Sequence, residues 1–589
     1  MYTLGINAAF HDCSACLVAD GVVLAAAEEE RFTEVKHGKR PVPFTTWQLP
    51  FHAIDFCLAE AGIALREVDH IAYAYDPTVL LHDTLPTAEI TLPLTPSAHG
   101  KDNPWLPLFL AYVVNAPRQL AGGAPHHLAA RFRDVAYDGP YAWHWVEHHL
   151  AHEASAFLAA PFDECAVLTI DGQGEKTTTS FGVFAGGNYR RLKQIALPHS
   201  LGLLYEDVTR HLGFLHSSDE YKVMALASFG APRYLDEFRH VVQRDAHGGY
   251  RIVRGDMSDW LGPPRLRGGP LEPHHYDIAR SLQAVLEETA LGMAFWLQRE
   301  TGQRKLALAG GVSLNCVMNA RLRDDGPFEE VWVQPAAGDA GTALGAALWI
   351  DYQQRGRPPR RWRMEHAYLG PAYTDTEIED FLRWSKLPYR RLGDVAAETA
   401  GLLANGAIIG WFQGRMEFGP RALGARSILA SPLAADMQAR LNEIKDREDF
   451  RPVAPVVLEE AAADWFVGAR PAPFMLFTFD VRPERAARIP AVTHVDGTAR
   501  VQTVNARQHP LYHRLIREFA ALTGVPVLVN TSFNTRGQPI VCTPRHAVEC
   551  FWTSPLDALV IGSFLLEKDA RPRRSAASHG RWATAEQER

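Results

Sequence analysis

Apolar and polar residues alternate over residues 2–7, and the stretch 16–27 carries the same period on both sides of Asp20-Gly21, a dipeptide suited to a hairpin turn. The chain is therefore expected to open on a three-stranded meander. A unit close to it returns at residues 165–197, as the strand AVLTID, the loop GQGE, the strand TTTSFGVFA, a GGN turn and the strand YRRLKQIAL. In both copies the first strand ends on a polar residue, Asn7 or Asp171, and runs into a polar loop.

Internal duplication of such a unit is what the actin, Hsp70 and sugar-kinase ATPase architecture is built from, and that architecture clamps a nucleotide between two halves. Later segments agree with it. A short apolar strand at 306–309 runs into Gly310-Gly311-Val312, and residues 315–322 can start a helix. A glycine turn lets backbone approach a ligand closely, and a helix N-terminus favours an anion, so phosphate or nucleotide is expected there. Residues 338–341, GDAG, ahead of the small helix-prone run TALGAALWI, form a second such place. Residues 355–363, RGRPPRRWR, read as a solvated linker between domains. Beyond it, strands expected at 408–412, 453–457, 525–528 and 558–561 alternate with helices, giving a second α/β domain. The expected division is 1–355, 364–570 and a tail, 571–589, without apolar period.

Composition narrows the classes. The 589 residues are 47% apolar and 22% charged, as in ordinary globular chains. A net charge of -8 gives no general attraction to nucleic acid or anionic lipid. The N-terminus lacks a basic region and an unbroken apolar core, and no run of about 18 apolar residues occurs, so a cytoplasmic protein without a membrane span is expected. Seven scattered cysteines fit reduced thiols, with Cys13 and Cys16 read as small core fillers.

In VEHHLAHEASAFLAA, His148 and His152 are four apart and share one helical face, with His149 pointing elsewhere. Two imidazoles need further ligands to hold a metal, and Asp171 at a strand end and Asp339 at a glycine turn have the right chemistry. The set suits iron(II), zinc or manganese. His11-Asp12 follows the first strand in the loop that would face a bound phosphate, and a histidine near neutral pKa can take a proton from a hydroxyl. The second domain holds Arg415, Arg421, Arg426, Lys445, Arg451 and Arg500 beside glycines and prolines, with Ser532 in NTSFN; together they are read as an anion pocket.

Ten segments carry a resemblance: FHDCSA (10–15), AEEERFTEVKHG (27–38), EHHLAHEASA (147–156), DGQGE (171–175), YKVMALASFG (221–230), LAGGVSLNCVMN (308–319), GDAGTALGAA (338–347), GRMEFGPRALGARSILA (414–430), KDREDFRPVAPVV (445–457) and NTSFN (530–534). On them the chain resembles the NodU/CmcH/TobZ family of O-carbamoyltransferases over nearly its whole length. The resemblance implies an N-terminal actin-like ATPase domain, similar to the tRNA threonylcarbamoyl-adenosine proteins, and a C-terminal YrdC-like α/β domain. It implies that carbamoyl phosphate, held by Lys445, Arg451, Arg500 and Ser532 with Arg415, Arg421 and Arg426 nearby, yields carbamate, which attacks ATP to give carbamoyl-adenylate. His148, His152, Asp171 and Asp339 would hold a divalent metal, iron(II) first and magnesium or manganese next. Gly310, Gly311, Asn315, Gly172 and Gly174 would contact the nucleotide. His11, beside Asp12, would draw the proton from the acceptor hydroxyl.

The implied partners are carbamoyl phosphate and a small-molecule hydroxyl acceptor of secondary-metabolite, antibiotic or nodulation-factor type, with no nucleic acid and no membrane; a homodimer is compatible. Residues 75–141 match the family weakly and read as an insertion that shapes the acceptor pocket. Two other readings compete: a threonylcarbamoyl transferase acting on tRNA, and a catalytically silent nucleotide-binding regulator. A metallopeptidase is disfavoured because no glutamate lies between the histidines in the H-E-x-x-H manner.

Overall fold

The computed structural model describes residues 1–38, 49–81, 110, 113–122, 140–253 and 255–568. The expected tail 571–589 and most of the 75–141 insertion lie outside the described residues. Strands β1 (Tyr2–Asn7), β2 (Ser14–Ala19) and β3 (Val22–Glu28) form the opening meander, turning at Asp20-Gly21, and β4 (His70–Tyr73) and β5 (Ala142–Trp145) extend it in parallel on the side of β1. The sheet order is β3-β2-β1-β4-β5.

The second copy has the same plan. Strands β6 (Cys165–Ile170), β7 (Thr177–Ala185) and β8 (Asn188–Ala196) form the meander, and β9 (Lys305–Ala309) and β10 (Glu330–Val333) add in parallel, giving β8-β7-β6-β9-β10. Each fifth strand is followed by a helix: α1 (His148–Phe157) after β5 and, after β10, a helix over Ala340–Gln354. The two helices pack on each other. Small residues in AGTALGAALWI let the second helix lie close to β1 and α1. This is the duplication of sheet and helix expected for an actin-like ATPase architecture. It sets the ends of β1 and β6 and the starts of both helices around one point.

The remaining α/β part, the one expected to be YrdC-like, is built on an eight-stranded mixed sheet that includes Ile409–Phe412, Arg426–Ala430, Ala454–Leu458, Val527–Ser532 and Ala558–Ile561. The expected strand at 525–528 starts two residues later, past Pro526, which has no amide to donate, and continues to Ser532. A buried cluster from Ile378 to Leu566 forms its core, with Trp411, Tyr512 and Phe519 fully enclosed.

The run 355–363 lies at the surface, with Arg357, Arg361 and Arg363 exposed, but it is tied down by hydrogen bonds. Arg360, whose side chain is only 8% exposed, donates to the carbonyls of Phe157 at 2.7 Å and Ala160 at 3.0 Å, which closes the orphan C-terminal end of α1. Arg357 donates to Asn188 and Arg363 to Pro161. The basic run is thereby fastened to the duplicated half. Among the described residues, no helix is long and apolar enough to cross a membrane.

Candidate active site

Four side chains meet where the two copies touch. His148 and His152 face inward from α1; Asp171 follows β6, and Asp339 stands at the N-terminus of the helix Ala340–Gln354. His148 Nδ1 lies 3.4 Å from the Ala74 carbonyl, which turns Nε2 toward the centre. The two Nε2 atoms are 3.2 Å apart. Asp171 Oδ2 lies 3.6 Å from His148 and 3.9 Å from His152, and Asp339 Oδ1 lies at 3.6 and 3.7 Å. A tetrahedral ion with bonds of about 2.1 Å has ligands about 3.4 Å apart, so the spacing and the donor types fit a bound metal. All four residues are buried. Burial opposes the charge on Asp171, but the imidazoles of His148 and His152 outweigh it and hold the carboxyl well below its ordinary range; Asp339 is held low by His11 and His148 against the same burial.

His11 and Asp12 occupy a tight turn after β1. Asn7 Nδ2 donates to the carbonyls of His11 at 3.0 Å and Asp12 at 3.1 Å, and Asp12 has a left-handed φ of 51°. Backbone strain of this kind gathers at functional sites. Asp12 sits between two histidines, with Oδ2 3.0 Å from His11 Nδ1 and Oδ1 2.9 Å from His37 Nδ1. Burial works against its charge, yet His37 and His11 hold it well below the usual carboxylate range. Beside a charged Asp12, a neutral His11 would carry its proton on Nδ1 and present Nε2 as an acceptor. That Nε2 faces Asp339 Oδ2 at 3.8 Å.

A second constellation lies on the YrdC-like part where it meets the duplicated half. Lys445 Nζ donates to the Ser532 carbonyl at 2.6 Å and to Asn534 Oδ1 at 2.7 Å, and Ser532 Oγ donates to the same Asn534 oxygen at 2.8 Å. Around them stand Arg421, Arg447, Arg451 and Arg500. Burial and mutual repulsion push Arg421, Arg447 and Arg500 below the ordinary guanidinium value. Guanidinium stays charged in proteins, so this cost is relieved by an anion rather than by loss of a proton. Arg421 Nε, Arg447 Nη2 and Arg500 Nε are buried donors without a hydrogen-bond partner among the described residues. Glu417 Oε1 curls the loop beyond Arg421 by accepting from the amides of Leu423 at 2.7 Å and Ala425 at 2.6 Å.

Two arginines of the expected pocket are used elsewhere. Arg426 is fully buried; its guanidinium stacks on Phe412 at 3.7 Å and donates to the carbonyls of Gln413, Gly414, Ala425 and Pro371. Arg415 donates to Leu24 and Leu369 and pairs with Glu60 at 3.2 Å, joining the YrdC-like part to the first meander. Both are fork donors spent on backbone or on an ion pair, which a dense run of cations in a sequence does not reveal.

Comparison with known proteins decides the class. The model described as Carbamoyltransferase N-terminus matches residues 2–87 and 136–348, and that described as Carbamoyltransferase C-terminus matches 400–568. This chain belongs to the carbamoyltransferase family. The carbamoyltransferase is 41% identical to a Synechocystis protein named "Uncharacterized protein sll1178", over 97% of this chain and 98% of that one. It is 39% identical to the nodulation protein NolNO of Sinorhizobium fredii, over 95% of this chain and 80% of the relative. Among solved structures it is similar to HypF of T. kodakarensis, with a TM-score of 0.31 and 16% identity over 61% of this chain and 48% of that chain. The stretch between the two N-terminal matches falls inside the 75–141 insertion.

In the carbamoyltransferase the expected nucleotide turn borders the four-residue cluster. Gly310 has φ of 90°, and a Cβ there would meet the Ile170 carbonyl at 2.3 Å, so only glycine fits. The amides of this turn are used within the protein, Gly310 N on the Ala337 carbonyl and Gly311 N on Asp171 Oδ1 at 2.7 Å. Asn315 caps the helix Cys316–Asp324 by accepting from the Met318 amide, and it pairs with Gln283. Gly174 lets its loop approach α1, since a Cβ there would lie 3.1 Å from His149 Cδ2; the added Cβ of Gly172 would meet only ordinary contacts.

Three residues of the site escape the sequence reading. Glu175 accepts the amides of His148 at 3.0 Å and Asp76 at 2.7 Å, setting a carboxylate at the start of α1; burial pushes its carboxyl up to about 7. His37 and Arg447 are the other two. All three stand inside the quoted segments DGQGE, AEEERFTEVKHG and KDREDFRPVAPVV. The only signal available was that membership.

Proposed function

We propose that the enzyme moves a carbamoyl group from carbamoyl phosphate, through a carbamoyl-adenylate made with ATP, to a hydroxyl of a small molecule of secondary-metabolite or nodulation-factor type. The observation that carries this reading is the pairing of two unlike centres through one loop: Gly311 bonds Asp171 of the four-ligand cluster, while three residues on Arg421 reaches the Leu314 carbonyl at 3.4 Å.

In the cationic pocket Lys445, Arg447, Arg451 and Arg500, with Ser532, neutralise the phosphate of the donor. Water opens the donor to carbamate and phosphate. A carbamate oxygen then attacks the α-phosphorus of ATP, and pyrophosphate leaves. At the other centre the acceptor oxygen bonds to the carbamoyl carbon, the carbon–oxygen bond to AMP breaks, and His11 Nε2 takes the hydroxyl proton. Asp12 holds the imidazole in the tautomer this requires. A divalent metal held by His148, His152, Asp171 and Asp339 supplies charge stabilisation at phosphate oxygens when bound. Two imidazoles in the set favour iron(II), zinc or manganese over magnesium, which prefers oxygen ligands. The turn at Gly310-Gly311 and the loop at Gly172 and Gly174, packed closely against β6 and α1, would border the nucleotide beside these ligands.

The test is pyrophosphate release from ATP in the presence and absence of carbamoyl phosphate, followed by mass spectrometry of candidate hydroxyl compounds for the gain of one carbamoyl unit. Release that does not depend on carbamoyl phosphate would remove the donor from the scheme.

A further inference from the structure

The segment YKVMALASFG belongs to the duplicated half, yet its first two side chains lie on the donor loop of the YrdC-like part. The Tyr221 ring sits under the Arg451 guanidinium, 4.6 Å from it, and Phe214 faces Phe450 at 6.5 Å along the same seam. Lys222 Nζ bonds Glu448 Oε1 at 2.8 Å and is itself held by Asp219 at 3.1 Å. The other Glu448 oxygen, Oε2, takes no hydrogen bond among the described residues and makes only a loose, one-point ion pair with Arg451 Nη1 at 3.7 Å.

This geometry creates a competition. Glu448 is an anion three residues from Arg451, close enough to form a two-point pair with it. Such a pair would occupy the fork that a phosphate needs. Lys222 draws one carboxylate oxygen away, and Tyr221 fixes the guanidinium plane from beneath, where the ring face attracts a cation without using any of its N–H donors.

We infer that Tyr221 and Lys222 are positioning residues for the donor: one half of the chain keeps Arg451 of the other half open to phosphate by restraining Glu448. The inference rests on the donor-pocket reading given above. It adds that affinity for carbamoyl phosphate depends on the seam between the two halves being closed, so that donor capture and assembly of the two centres are linked.

The experiment uses the full chain with ATP and divalent metal, and follows pyrophosphate release across a carbamoyl phosphate series together with transfer from supplied carbamoyl-adenylate. Lys222→Met should raise the KM for carbamoyl phosphate by about tenfold or more, the effect of a charge-assisted hydrogen bond, with kcat and transfer from the adenylate little changed. Adding Glu448→Gln to Lys222→Met should return the KM toward that of the wild type. Tyr221→Phe should retain the low KM, and Tyr221→Leu should lose it. An unchanged KM in Lys222→Met, or a raised KM that Glu448→Gln fails to reverse, would overturn the inference, because simple loosening of the seam is not repaired by removing a carboxylate. A wild-type enzyme that transfers from the adenylate but ignores carbamoyl phosphate would overturn the donor reading itself, and this inference with it.

Discussion

His11 and Asp339 face each other across 3.8 Å, Nε2 to Oδ2, while the far side of the imidazole is held by Asp12. An imidazole thus stands beside a carboxylate of the four-residue cluster. His11→Ala should leave carbamoyl-phosphate-dependent pyrophosphate release intact and slow transfer to the acceptor by about 10² to 10⁴-fold, the usual contribution of a general base. An unchanged single-turnover transfer rate would remove His11 from the chemistry.

The four-ligand cluster predicts metal dependence. Chelation should abolish transfer, and iron(II), zinc or manganese should restore it better than magnesium. Elemental analysis of His148→Ala and Asp339→Asn should show loss of the ion retained by the wild type. Full metal content in both variants would contradict the assignment.

Lys445 and Arg426 are both buried cations with different expected fates. Lys445→Ala should remove carbamoyl phosphate use while sparing transfer from supplied carbamoyl-adenylate. Arg426→Met leaves several carbonyls without their donor and should cost about 3 kcal/mol or more of stability, seen as a lower Tm, with the KM for carbamoyl phosphate little changed in the folded fraction.

Arg360 closes the end of the helix that carries His148 and His152. Arg360→Ala exposes the Phe157 and Ala160 carbonyls to loss of a charged donor and should lower stability by about 1–3 kcal/mol, measured by thermal melting.

His509 predicts a pH dependence. Burial pushes its imidazole down to about 4, and its neutral Nδ1 accepts the Tyr512 amide at 3.2 Å as a helix cap. The unfolded chain takes up a proton near pH 6.5, earlier than the folded one, so this contribution is complete above about 6.5 and falls away as pH drops toward 4. Denaturant melts at pH about 7 and about 5 should differ less for His509→Asn, which keeps a capping oxygen but does not titrate. An equal difference in both proteins would refute the role.

What the sequence disclosed was local. The repeat of the strand meander, the four-residue step between His148 and His152 and the glycine turn at Gly310 are short-range patterns with fixed geometric meaning. Their meeting with Asp171 and Asp339 was harder to see, because it depends on how two sheets face each other. Glu175 and His37 act on residues many positions away, as a helix-end carboxylate and a second partner of Asp12, and no spacing marks such roles. Arg415, Arg426 and Arg360 show the opposite failure. Charge density alone cannot tell a guanidinium waiting for an anion from one whose terminal nitrogens are already taken by carbonyls or a carboxylate.

The doubled architecture divides the four donors unevenly: the helix that closes the first copy brings only nitrogen donors, and the second copy brings only oxygen donors. Neither copy alone assembles the set. Any rotation that parts them would dismantle the cluster at once, so for an ion held there the resting angle between the halves would set how firmly it is kept.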